Sequence, residues 1–69
     1  MTITLNLADP TLKTAYAVLH RICQALVFEG RRDDAQALYA ACPNPRELAD
    51  VVGRLPADVE FTPTWEGAV

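Results

Sequence analysis

Between Leu12 and Cys42 apolar residues return at three- and four-residue steps on both sides of a charged, glycine-centred break, Glu29-Gly30-Arg31-Arg32. Before the break, Leu12, Ala15, Tyr16, Leu19, Ile22, Cys23 and Leu26 mark one face of an amphipathic helix. After it, Ala35, Leu38, Tyr39 and Cys42 do the same. Few folds accept this pattern: the two helices are expected to bend back on each other at Gly30, which suits a left-handed helix end. Val18, Ala25, Val27 and Phe28 place further apolar surface outside the stripe. One short partner helix does not cover so wide a face, so a second chain is expected to cover the rest.

Size sharpens that expectation. A chain of 69 residues forms one domain that buries only about 60% of its unfolded surface, leaving roughly 4,300 Å² exposed. Cores this small commonly lean on disulfides, metals or oligomerisation. The 51% hydrophobic content favours oligomerisation and argues against disorder. Cys23 and Cys42 stand nineteen residues apart, which is neither a disulfide framework nor a zinc spacing. They read as reduced thiols in a cytosolic core. No signal peptide and no run of about 20 apolar residues is present, so a soluble, intracellular protein without membrane contact is expected.

The charge has a location. Residues 1–56 balance Asp9, Glu29, Asp33, Asp34, Glu47 and Asp50 against Lys13, Arg21, Arg31, Arg32, Arg46 and Arg54. The net charge of −3 therefore comes from Asp58, Glu60 and Glu66. A balanced body with an acidic tail is not the basic footprint that nucleic acid requires.

At the start of the chain Ile3, Leu5 and Leu7 alternate with polar residues, which predicts a half-buried strand or an extended arm. Its backbone needs a partner: residues 59–62, the same strand of a second subunit, or a foreign strand. Asp9-Pro10 predicts a helix start, so the first helix is expected over about 10–29 and the second over about 31–42. Pro43-Asn44-Pro45 breaks the chain. Asn44 is expected to cap a third helix over about 45–54, with Leu48, Val51, Val52 and Leu55 as its apolar face. The expected class is mainly α: a helical hairpin, a short third helix, an N-terminal strand or arm and an acidic extended tail over 57–69.

Two resemblances follow. Leu19, Ile22, Cys23, Leu26, Gly30, Ala35, Tyr39 and Cys42 fall in the order of large, small, turn and aromatic residues that resembles a single tetratricopeptide repeat. Stable arrays need about three repeats and no second copy exists, so this likeness implies only an antiparallel helical hairpin. In length, Ala/Arg/Leu-rich style and compact helical character, without a signature motif, the whole chain resembles the small anti-quorum-sensing, anti-activator proteins of transposable Pseudomonas phages. That resemblance implies a homodimeric inhibitor in the host bacterial cytoplasm. It would bind and block a transcriptional activator of the LuxR type, and a pilus assembly ATPase, without chemistry or cofactor.

No catalytic motif is expected. His20 belongs to the polar side of the first helix while Cys23 and Cys42 face the core, so neither a metal site nor a Cys-His nucleophile is expected. The five charges at the bend form either a solvated turn or a grip in which Arg31 and Arg32 fork onto a partner carboxylate. Arg31, Arg32, Tyr39 and Trp65 are the expected partner contacts, because tyrosine, tryptophan and arginine concentrate in binding hot spots. Leu5, Leu7, Val18, Ala25 and Phe28 are the expected dimer seam. A helix-turn-helix reading of the second and third helices competes on length, yet Glu47 and Asp50 oppose phosphate contact. A structural subunit of a larger helical assembly is the remaining alternative.

Overall fold

Thr2–Asn6 forms β1, with Ile3 and Leu5 buried between the exposed Thr2 and Thr4. In the computed structural model, which describes residues 1–67, a 3-10 turn (Pro10–Leu12) follows. Then come α1 (Ala15–Phe28), α2 (Arg32–Ala41), α3 (Leu48–Val52) and β2 (Glu60–Thr64). β1 and β2 pair in parallel, with Thr2 opposite Glu60 and Asn6 opposite Thr64. A parallel pair needs a long crossover connection, and here the whole helical body is that connection.

This pairing corrects the expected class. The protein is a mixed α and β fold, about 48% helix and 15% strand, rather than a mainly α hairpin with a free arm and tail. Of the three candidate partners for the first strand, the segment near residues 59–62 takes the place, so most of the supposed tail is sheet. Residues 68 and 69 of that tail lie outside the described residues.

The helix boundaries also move. Asp9 does cap, but its carboxylate accepts from both the Thr11 amide and hydroxyl at 2.8 Å, closing a short 3-10 turn in place of a long helix. Local side-chain bonds of this kind compete with helix propagation. Thr14 then takes an extended conformation (φ −115°, ψ 155°) and its hydroxyl caps the Ala17 amide, restarting the chain as α1. Asn44 and Pro45 lie outside any helix. Asp50 reaches back instead to accept from the Glu47 amide at 3.2 Å, so α3 begins at Leu48 and spans five residues, not the expected ten.

The end of α1 is fixed by its backbone. Gly30 sits at φ +78°, its amide bonds to Val27 O at 3.0 Å, and the Arg31 amide bonds to Leu26 O at 2.8 Å. These two bonds are those of the Schellman motif. The chain reverses there and α2 packs on α1, with Ala35 and Leu38 buried against it.

Leu19, Ile22, Leu26 and Val51 are sealed from solvent at the centre of the core, with the β1 side chains above them. The buried stripe of α1 runs through Val18, Leu19, Ile22, Cys23 and Leu26. It is rotated from the expected one: Val18 is inside, while Tyr16 is exposed. The short helix start explains the rotation, since α1 no longer has to bury Leu12 and Tyr16 on a single face.

Two substitutions rank these constraints. Leu26→Ala leaves a core cavity and costs about 3 kcal/mol, and Gly30→Ala forces a left-handed side-chain-bearing residue and costs about 1 kcal/mol. Urea denaturation measures both. A Gly30→Ala protein as stable as the parent would contradict the left-handed helix end.

Candidate functional site

The sheet has two outer edges of different chemistry. The Leu7 amide donates to Thr64 O at 2.8 Å and the Glu60 amide donates to Met1 O at 2.9 Å. Backbone groups alternate sides along a strand. The odd-numbered residues of β1 therefore face β2, and the amides and carbonyls of Thr2 and Thr4 face outward. In β2 the even-numbered backbone groups face β1, so the backbone groups of Phe61 and Pro63 point to the outer edge. Pro63 has no amide proton and blunts that edge, as proline does on edge strands. The β1 edge carries no such block.

α1 runs back along β1. Leu7 lines one cavity with Ala15 and Val18, whereas Met1–Leu5 line another with the second half of α1. This second cavity is an open groove of about 340 Å³ beside the free strand edge. Its helical wall is Arg21, Gln24, Ala25, Phe28 and Glu29. Phe28 is 92% exposed, an extreme value for a large apolar side chain at a helix end. Arg21 and Glu29 form no ion pair among the described residues.

The expected seam residues divide across this geometry. Leu5 and Val18 are consumed by the chain's own core, and Leu7 and Ala25 are half-buried. Only Phe28 is left projecting. The structure brings Leu5, Ala25 and Phe28 to one groove. Thr2, Thr4, Arg21 and Gln24 join them there and were not singled out from sequence. The signal was present in part, because Arg21, Gln24, Ala25 and Phe28 share one helical face by their spacing.

The expected partner contacts do not converge. Arg31 is committed within the chain: Nε donates to Asp34 Oδ2 at 2.7 Å and Nη2 to Asp58 Oδ1 at 2.9 Å. It ties the start of α2 to the turn that leads into β2. Arg32 is exposed and makes no ion pair among the described residues. Tyr39 is half-buried; its hydroxyl lies 2.7 Å from His20 Nδ1, and burial raises its pKa above the ordinary value. Trp65 is 60% exposed just beyond β2. It stands past the end of the sheet near Asn6, whose amide donates to the Glu66 carbonyl at 2.9 Å, and not beside Met1 and Phe28.

Among the described residues, no group of three His, Cys, Asp or Glu side chains converges as metal ligands would. His20 is held by Tyr39 and Gln24, while the buried Cys23 thiol points to Ala35 O at 3.7 Å. No helix among the described residues is long and apolar enough to cross a membrane. Compared with family models, with curated proteins and with solved structures, the chain finds no match.

Two measurements check this electrostatic account. The Arg31 hydrogen bond holds the Asp58 carboxyl below its usual pKa. A depressed carboxylate stabilises the fold fully above its unfolded value near pH 4, and that contribution disappears as pH falls through the folded value. Asp58→Asn is thus expected to lower the urea midpoint at pH 6 and to leave it nearly unchanged at pH 2; equal loss at both would remove the ion pair from the account. Burial pushes the Cys23 thiol up to about 11. Native labelling of Cys23 by a disulfide reagent at pH 8, in a Cys42→Ala background, is expected to be at least roughly 100-fold slower than in denaturant.

Proposed function

We propose that this chain is a non-enzymatic protein-binding inhibitor that acts by occupying a surface on another protein. The observation that carries this reading is Phe28, 92% exposed beside an unblocked strand edge. A large apolar side chain next to unpaired backbone donors and acceptors is what strand-adding and hydrophobic-anchor interfaces both use. The net charge of −3 favours a protein over a nucleic acid as partner. A helix-turn-helix reading loses support because α3 has only five residues, with Asp50 among them.

The narrower form of the proposal takes its target from the resemblance to phage anti-activator proteins. The partner is then a LuxR-type activator, or a pilus assembly ATPase, in the cytoplasm of a bacterial host. Arg32 and Trp65, exposed and outside the groove, are the contacts it assigns to that target, whereas Arg31 is already engaged internally.

Phe28→Asp is expected to leave the circular dichroism spectrum intact and stability within about 0.5 kcal/mol, while association weakens at least tenfold. Sedimentation of the parent and the variant, alone and with a purified LuxR-type activator, reads this out. Equal association by the two proteins would sink the groove as a binding surface. A parent that never displaces the activator from its operator, and never inhibits the ATPase, would sink the narrower target.

A further inference from the structure

Three facts about the groove converge on one occupant. The two-stranded sheet has one edge free to be extended, because Pro63 blunts the outer edge of β2 while Thr2 and Thr4 leave the β1 edge open. The exposed face of that open edge carries two β-branched threonines, which pair well across antiparallel strands. Finally, the helical wall is charged with opposite sign at its two ends. Arg21 and Glu29 stand eight residues apart, about 12 Å along the axis, with the small Ala25 midway.

A wall of that kind is complementary to itself when reversed. We propose that the groove is a homodimer seam: β1 of two copies pair antiparallel about a twofold axis near Ile3, and the two α1 helices lie antiparallel beneath them. This rests on the protein-binding reading of the same groove and names its occupant as a second copy of this chain. The result is a continuous four-stranded sheet of order β2-β1-β1-β2, with a Pro63-blunted edge at each end.

The register follows from the geometry. A twofold at Ile3 sets Thr2 of one copy opposite Thr4 of the other, and their outward backbone groups complete the ladder. Because α1 runs antiparallel to β1 with Arg21–Glu29 alongside Met1–Leu5, the same axis passes near Ala25, where a small side chain permits close approach. Arg21 of one copy then meets Glu29 of the other, twice, by symmetry. Phe28 of each copy leaves water against the opposing helix and the aliphatic stem of Arg21. A foreign strand could use the edge, but nothing would require it to carry the reversed charge pattern of α1.

Light scattering after size exclusion, and sedimentation equilibrium across 1–100 µM, test this with the full chain. The expected mass is twice 7.6 kDa. Arg21 and Glu29 are exposed, so Arg21→Glu and Glu29→Arg are each expected to keep the parent circular dichroism spectrum and to weaken the dimer at least about tenfold. The double variant Arg21→Glu/Glu29→Arg is expected to recover most of that loss, a rescue only a homotypic, antiparallel contact gives. Thr4→Pro, which removes one outward donor and leaves the β2 ladder alone, is expected to be monomeric.

A monomeric parent at 100 µM overturns the proposal, as does a dimer whose charge variants are silent or show no rescue. A monomeric parent whose target binding still fails on Phe28→Asp overturns the second copy as occupant and leaves the protein-binding reading standing. Loss of every association, with no effect of Phe28→Asp anywhere, overturns both.

Discussion

A single strand cannot leave its amides and carbonyls without partners, and that requirement organises this small protein. β1 at one end of the chain finds β2 at the other, across the full helical body. Each brings a core-facing side: Ile3 and Leu5 from β1, and Val59 and Phe61 around β2, all against the sealed centre formed by α1. The helices supply most of the buried volume, and the strand pair closes the layer above them. Arg31 reinforces the closure from the side, because its guanidinium holds both Asp34 on α2 and Asp58 ahead of β2. With so little core in 69 residues, closure of the strand pair over it is a large part of the total stability, and the partly exposed Arg31 ion pairs add a small share.

Closing one side of β1 leaves the other side open, and the proposed binding surface lies there. Nature commonly blunts strand edges with proline or charge; here the blunting is applied to β2 through Pro63 and withheld from β1. The helix beneath the open edge ends in Phe28, which lies on the Arg21–Gln24–Ala25 face of α1 and is turned away from the buried stripe by its helical spacing.

Local chemistry made part of this legible in sequence. Gly30 announced the end of the first helix, the Ile3 and Leu5 alternation announced a strand, and the spacing of Leu19, Ile22, Cys23 and Leu26 announced the buried stripe. Each of these signals depends only on neighbours a few residues away. The mixed fold was legible only as one option of three: residues 59–62 were a candidate partner for the first strand, but the pairing of Thr2–Asn6 with Glu60–Thr64 joins segments some sixty positions apart, and a strand containing Pro63 reads locally as tail. The restart at Thr14 was hidden for a different reason: Asp9 is a good cap for two structures, and the bonds from Thr11 decide for the shorter one. Of the site, Phe28 and Ala25 were visible as surplus apolar surface. Their meeting with the Thr2 and Thr4 edge, and the removal of Leu5 and Val18 into the core, follow from a strand pairing that sequence left undecided. Arg31 looked like a free fork at a bend, since its partner Asp58 comes from a distant turn.

Residue-resolved amide exchange at two protein concentrations tests the central claim most directly, because it reads the two sides of β1 separately. The account predicts that the Ile3, Leu5 and Leu7 amides, which face β2, stay protected at both high and low concentration. The Thr4 amide, on the open edge, is predicted to be protected when the protein is concentrated and to lose that protection on dilution. Free exchange at Ile3 and Leu5, or protection of Thr4 that dilution does not change, would contradict it.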